Sequence, residues 1–243
     1  MPDRRVCVLT GAAGRLGNDF CSRYADVYDI VAVCRRRLPA VACQHRWPVD
    51  PLFPVPADGW HGPPVHAIEV DLEDDDAPER IVETALARFG RIDLLVNAAV
   101  WVRHERLMAL ADVPDILDRH FRLNATIPVR LAATAGRLYW CDRAQDNVAN
   151  NRNVVNISSL AGSGVVPNIG LGPYSASKSA LNFLTCHLAE EFQGIGVRVN
   201  ALAPTTFPDV LPTSSVSDEI VALDQGPLNG HIVELDERGV ATA

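Results

Sequence analysis

The sequence has 243 residues, 48% of them hydrophobic and 21% charged, a balance that suits one large domain with a sizeable core and excludes general disorder. Twenty-two basic against thirty acidic residues give a net charge of −8, which argues against a broad nucleic-acid or anionic-membrane surface and leaves only a local anion site open. No apolar run reaches membrane-spanning length, MPDRRVCVLTG carries no signal-cleavage pattern, and the six cysteines are scattered without a C-x-x-C pair, so the expectation is a cytoplasmic protein with reduced thiols and no metal.

Apolar runs of strand length alternate with helical patterns along the chain, as in parallel sheets covered on both faces. Strands are predicted at 5–10, 29–34, 66–71, 92–97, 153–158, 196–202 and 231–235. The first runs into a glycine-rich turn and an amphipathic helix. Residues 38–65 hold seven of the seventeen prolines, with His45, Trp47, Phe53, Trp60 and His61 and no helical period, so a long loop stands where a crossover helix would otherwise be. Pro78 to Phe89 places Ile81, Val82, Ala85, Leu86 and Phe89 on one face, with Gly90 just beyond, as helix termini prefer. A longer helical pattern covers roughly 112–143, and another runs from Tyr174 to about Gln193. After Pro204 there is room for one short helix near 218–223 before the last strand.

Three local patterns carry chemistry. The first strand meets Gly11-Ala12-Ala13-Gly14-Arg15-Leu16-Gly17 and then a helix, a setting in which glycines bring backbone N–H groups and a helix N-terminus close to a pyrophosphate. The second strand ends in Cys34-Arg35-Arg36-Arg37 where a site for NAD usually carries an acid for the ribose 2′-hydroxyl. A guanidinium suits a 2′-phosphate instead, so the expected cofactor is NADP(H). Asp71 ends the third strand and could accept from the adenine amino group, while Asn97-Ala98-Ala99 ends the fourth beside the same crevice.

The third pattern is a single lysine. Twenty-one of the basic residues are arginine and Lys178 is the only lysine, four residues after Tyr174 and on the same helix face. An ammonium beside a phenol favours the phenolate and draws its pKa toward the range of a general acid or base; a guanidinium is broader and never gives up its proton. Asn124 lies four residues before Pro128, whose missing N–H frees the Asn124 carbonyl to hold a water. Ser158 and Ser159 compete for a catalytic role, since neighbours in a strand face opposite sides.

In this order and near-family spacing, Thr10 with the glycine turn, Asp71-Leu72, Asn97-Ala98-Ala99, Asn124, Ile157-Ser158-Ser159, Tyr174-Ser175-Ala176-Ser177-Lys178 and Asn200-Ala201-Leu202-Ala203-Pro204 resemble the short-chain dehydrogenase/reductase family over nearly the whole chain. The resemblance implies an α/β, Rossmann-type doubly wound parallel sheet of about seven strands with helices on both faces, in a single domain spanning 1–243. It implies a ketoreductase with Tyr174 as proton donor to a carbonyl, Ser159 (family register) as its polariser, Lys178 as ribose anchor and Asn124 as part of a proton relay. Gly11, Ala13, Arg15, Leu16, Gly17, Arg35, Asp71, Leu72, Asn97, Ala98, Pro204 and Thr206 would hold the cofactor with Tyr174 and Lys178. Trp101, Val102, Val165, Val166 and Phe207 would line the substrate pocket.

Several features depart from the family. Arg15 stands where most members have glycine, and the turn is similar to that of the pteridine reductases. Fifteen positions separate Ser159 from Tyr174, two more than usual, and 205–228 is shorter than the family's substrate lid. The expected partners are a small-molecule carbonyl or alcohol and a second or further copies of the chain, a homodimer or homotetramer anchored by Tyr139, Trp140 and Phe183. Two alternatives stand beside the reductase: a cofactor-binding sensor or scaffold without turnover, and a redox-neutral dehydratase or epimerase.

Overall fold

Residues 6–9 are Val-Cys-Val-Leu, apolar at every position, and such a strand is stable only with both faces covered. In the computed structural model, which describes residues 4–45, 64–109 and 112–242, this run is β1 (Arg5–Thr10), inside an eight-stranded sheet. The other strands are β2 (Tyr28–Cys34), β3 (Val65–Glu69), β4 (Leu94–Asn97), β5 (Asn153–Ile157), β6 (Arg198–Pro204), β7 (Ile232–Asp236) and β8 (Gly239–Thr242). Their order is β3-β2-β1-β4-β5-β6-β7-β8, parallel except for the antiparallel β7–β8 pair. Seven of them match the predicted runs to within two residues at each end. The eighth, β8, was not foreseen, because all four of its residues are exposed and a strand held only by backbone pairing leaves no apolar alternation to read.

The helices are α1 (Arg15–Tyr24), α2 (Ala77–Phe89), α3 (Val113–Phe121), α4 (Ile127–Ala135), α5 (Ala144–Ala149), α6 (Gly172–Gln193) and α7 (Thr213–Gln225). Alternation along β1 sends Cys7 and Leu9 to one face, where they meet Phe20 of α1 and Val216 and Ile220 of α7, and Val8 to the other, where Ile81, Leu131 and Leu188 come from α2, α4 and α6. Both faces are therefore dry, as the doubly wound reading requires. Leu38, Val41 and Cys43 of the proline-rich stretch pack against the α1 face; Trp47, Phe53, Trp60 and His61 lie outside the described residues.

The pattern over 112–143 is not one uniform helix. It is α3 and α4 with two π-helical turns, Arg122–Thr126 and Gly136–Trp140, and the separate α5 follows. At the first turn the Ile127 N–H reaches back five residues to the Arg122 carbonyl, and Pro128 has no N–H to offer Asn124, so the helix widens there. Trp140 is fully buried, donating from Nε1 to the Ile92 carbonyl at 3.1 Å and packing edge-on to Phe192. It is a core residue and not the subunit anchor expected. Phe183 does stand exposed on α6.

Helix α7 is longer than the short helix expected near 218–223, and it belongs to the layer that covers the sheet. Val216, Ile220 and Leu223 are buried against the sheet, and the Ser217 hydroxyl donates to Asp19 of α1 at 2.6 Å. Only residues 205–212 remain to connect β6 to α7 across the end of the sheet. Behind α7, the buried Asp224 carboxylate accepts from Arg5 Nε (3.0 Å), Arg5 Nη2 (2.8 Å) and the Tyr28 hydroxyl (2.8 Å), tying β1, β2 and α7 together. Removing one member of a buried charged cluster strands the others. Asp224→Ala is therefore expected to lower unfolding free energy by about 3 kcal/mol, measured by urea denaturation; a change within experimental error would show that the cluster contributes nothing.

Candidate active site

The site is built where β1 and β4 end side by side. Thr10 Oγ1 accepts from the N–H groups of Ala98 (3.0 Å) and Ala99 (3.1 Å), which pins the end of β4 to the turn after β1. Gly11 follows with φ +70°, and a Cβ there would stand 2.9 Å from the Ala99 Cα; both the left-handed backbone and the close approach demand glycine. At Gly17 a Cβ would come within 2.5 Å of the Ala12 Cα, so α1 can pack under the turn only without a side chain at that position. Asn18, which the sequence reading passed over, braces the turn by donating to the Ala13 and Gly14 carbonyls at 2.9 Å and accepting from the Ala40 N–H at 2.6 Å.

This turn forms one wall of a cleft of about 560 Å³. Gly11, Ala13, Arg35, Asp71, Leu72, Ala98 and Trp101 line it, and so do Arg36 and Arg37. Val100, Arg119 and Leu123 also line it, although no sequence motif marked them. Asp71 Oδ1 accepts from the Glu73 N–H at 3.1 Å, and Arg35 lies 3.9 Å from the carboxylates of both Asp71 and Glu73. Leu16 is buried in the core beneath the turn. Asn97 also turns inward: its amide donates to Asn156 Oδ1 at 2.8 Å and faces the Pro128 carbonyl at 3.4 Å, so its side chain braces the sheet while Ala98 faces the cleft. Arg15 reaches over the turn and donates to the Phe207 carbonyl at 3.0 Å.

The four catalytic candidates lie on the π-helical turn, just after β5 and on α6; none of them lines this cleft, and Asn124 joins them to it through the Trp101 backbone. Asn124 is fully buried, accepts from the Trp101 N–H (2.9 Å), and donates to the Trp101 carbonyl (2.9 Å) and to Ser177 Oγ (3.0 Å). Ser177 in turn donates to the Tyr174 carbonyl at 2.7 Å. The two serines point to different neighbours: the Ser158 hydroxyl donates to the Lys178 carbonyl at 3.4 Å, whereas Ser159 lies near the Tyr174 phenol and its hydroxyl accepts from the Ala161 N–H at 3.2 Å. Lys178, 2% exposed, donates from Nζ to the Ile157 carbonyl at 2.6 Å, and its ammonium sits 5.8 Å from the centre of the Tyr174 ring.

The substrate-lining expectations divide. Trp101 is in the cleft wall, with the Arg119 guanidinium 4.8 Å above its ring and His120 beside it. Val165 is 94% exposed and Val166 also lies at the surface; Val102 is exposed next to Trp101, and Phe207 packs on the α1-side core. Pro204 is buried at the end of β6, the Thr206 carbonyl accepts from the Val210 and Leu211 N–H groups at 3.1 Å, and neither residue lines the cleft. Among the described residues no three His, Cys, Asp or Glu side chains gather as a metal ligand set, and no helix is long and apolar enough to cross a membrane.

A family model described as short chain dehydrogenase matches residues 5–215. The chain belongs to the short-chain dehydrogenase family. It is 34% identical over 203 residues, 82% of its length and 70% of the relative's, to a Mycobacterium tuberculosis protein named an uncharacterized NAD-dependent oxidoreductase. An acetoacetyl-CoA reductase of an Acinetobacter species is 25% identical over 232 residues, 92% of this chain and 83% of that one. A short chain dehydrogenase from Mycobacterium avium shares the fold with a TM-score of 0.76 at 23% identity, covering 98% of this chain and 84% of that one.

In this dehydrogenase the electrostatics differ from the simple ammonium–phenol picture. Burial raises the Tyr174 phenol above its ordinary value and the Ser159 hydrogen bond offsets part of that rise. Burial also pulls Lys178 down from 10.5 to about 7, so at neutral pH the amine carries only part of a positive charge, and that charge is held at the Ile157 carbonyl. Burial, and not Lys178, dominates the Tyr174 phenol, whose proton affinity is raised where the Tyr-x-x-x-Lys spacing predicts a lowering. Because the folded chain holds the Lys178 proton less tightly than the unfolded chain, this group's penalty to stability is full below about pH 7 and fades as pH rises toward 10.5. Denaturation from about pH 6 to about pH 9 should therefore show the wild type gaining stability relative to Lys178→Met; a constant difference would mean that the amine stays charged throughout.

Proposed function

We propose that the chain is an NADPH-dependent reductase that adds hydride and a proton to the carbonyl of a bulky organic substrate, with Tyr174 as the proton donor. What supports this reading is that Asn124 binds the backbone of Trp101, a residue of the cleft wall, and through Ser177 joins the helix that carries Tyr174 and Lys178, while Ser159 lies near the Tyr174 phenol. The residues present fit a dinucleotide: Gly11 brings the turn's backbone against that of Ala99, where no Cβ fits, the first turn of α1 has no side-chain cap and its N–H groups can meet phosphate, and Lys178 has N–H donor capacity beyond the bond given to Ile157.

In that reading Gly11, Ala13 and Gly17 shape the pyrophosphate seat, Arg35 takes the 2′-phosphate, Asp71 and Leu72 meet the adenine, and Lys178 donates to ribose hydroxyls. The dinucleotide, when bound, supplies the hydride. Ser159 donates a hydrogen bond to the substrate oxygen, and Tyr174 passes its phenolic proton to that oxygen as the carbon is reduced, leaving an alcohol and a phenolate. Asn124 acts as a positioning residue, joining the Trp101 backbone to Ser177 and hence to the tyrosine helix. A wide substrate entrance is supported by the brief 205–212 connection and by the exposure of Leu107, Met108, Val165 and Val166. NADH is the competing cofactor, favoured by the name of the Mycobacterium tuberculosis relative and by the two carboxylates near Arg35.

Tyr174→Phe is expected to cut turnover of ketones by about 10²–10⁴-fold while NADPH affinity, followed by fluorescence titration, holds; retained turnover removes Tyr174 from the mechanism. Arg35→Ala is expected to weaken NADPH about tenfold or more and leave NADH nearly unchanged; equal effects on both cofactors would reject the 2′-phosphate assignment.

A further inference from the structure

Two arginines that line the cleft share one carboxylate. Glu73 Oε2 lies 3.9 Å from Arg35 Nη1 and 3.5 Å from Arg119 Nη2, so one carboxylate oxygen is shared by guanidinium groups from the two walls, one at the end of β2 and the other on α3. The Arg119 guanidinium also rests on the Trp101 ring. The Glu73 backbone is fixed at both ends: its N–H is held by Asp71 Oδ1 at 3.1 Å and its carbonyl accepts from Arg122 Nη2. Half-exposed ion pairs of this kind add little to stability, but their charges act strongly on a polyanionic ligand that enters between them.

We propose that Glu73 is a cofactor-discriminating residue, a carboxylate that competes with the 2′-phosphate of NADPH for Arg35. This deepens the assignment of Arg35 to the 2′-phosphate and rests on it. A phosphate arriving at Arg35 displaces Glu73 and is repelled by it, and Arg119 keeps the carboxylate when Arg35 lets it go. A ribose carrying a free 2′-hydroxyl meets no such competition and can donate to the same carboxylate. Glu73 thereby narrows the preference for NADPH that Arg35 would otherwise impose, and the chain can accept either nicotinamide nucleotide.

The test uses the full chain and two fragments, 2′,5′-ADP and 5′-AMP, titrated by calorimetry at low salt against wild type, Glu73→Gln and Arg35→Ala. Glu73→Gln is expected to bind 2′,5′-ADP about fivefold more tightly, the effect of removing one charge at about 4 Å in water, with 5′-AMP unchanged within about twofold. Added salt should shrink the gain. A 2′,5′-ADP affinity that is unchanged or weaker in Glu73→Gln, or a gain shared equally by 5′-AMP, overturns the proposal. The Arg35 assignment fails separately, when Arg35→Ala leaves 2′,5′-ADP binding at the wild-type level.

Discussion

The chain leaves β1 to build β2 and β3 on one side and returns to build β4 on the other, and an open parallel sheet necessarily has a crevice where its connections diverge in this way. Everything at the site depends on how closely the backbones of β1 and β4 meet at that crevice. Thr10 holds the Ala98 and Ala99 N–H groups, Gly11 takes a left-handed conformation against Ala99, and Gly17 lets α1 slide under the turn. A side chain at Gly11 would push the turn away from the end of β4, and one at Gly17 would push α1 away from the turn.

A second set of interactions places the chemistry relative to that seat. Asn97 on β4 donates to Asn156 on β5, Asn156 to Thr185 on α6, and Thr185 to the Leu181 carbonyl. From the other direction Asn124 links the Trp101 backbone to Ser177 and so to the Tyr174 carbonyl. Buried polar chains of this kind are costly unless every member is satisfied, and satisfied they admit one arrangement only. They hold α6, and with it Tyr174 and Lys178, in a fixed register against the ends of β4 and β5.

Lys178 shows why the only lysine stands where it does. Its aliphatic stem crosses a buried position, its amine finds one carbonyl, and desolvation brings its proton affinity down to about 7. An arginine could not be tuned in this way, and its wider head would not fit against one carbonyl. Arg35 and Arg119, by contrast, line the cleft partly exposed and share the Glu73 carboxylate.

Seven strands, the covered parallel sheet, the glycine turn and the Tyr174–Lys178 pair could all be read from the residues, because each rests on local periodicity or short spacing: apolar runs for strands, a four-residue step for two side chains on one helix face, and a turn whose glycines have a steric purpose. What the linear chain did not reveal depends on contacts between distant segments. β8 has no buried face, Trp140 proved to be core because Phe192 and Ile92 close over it, Asn97 turned inward because Asn156 awaited it, and Arg119 and Leu123 reached the cleft, and Glu73 its two arginines, only through the tertiary fold. The proton affinities likewise followed from desolvation, a property of the assembled fold that no pair of residues four apart can disclose.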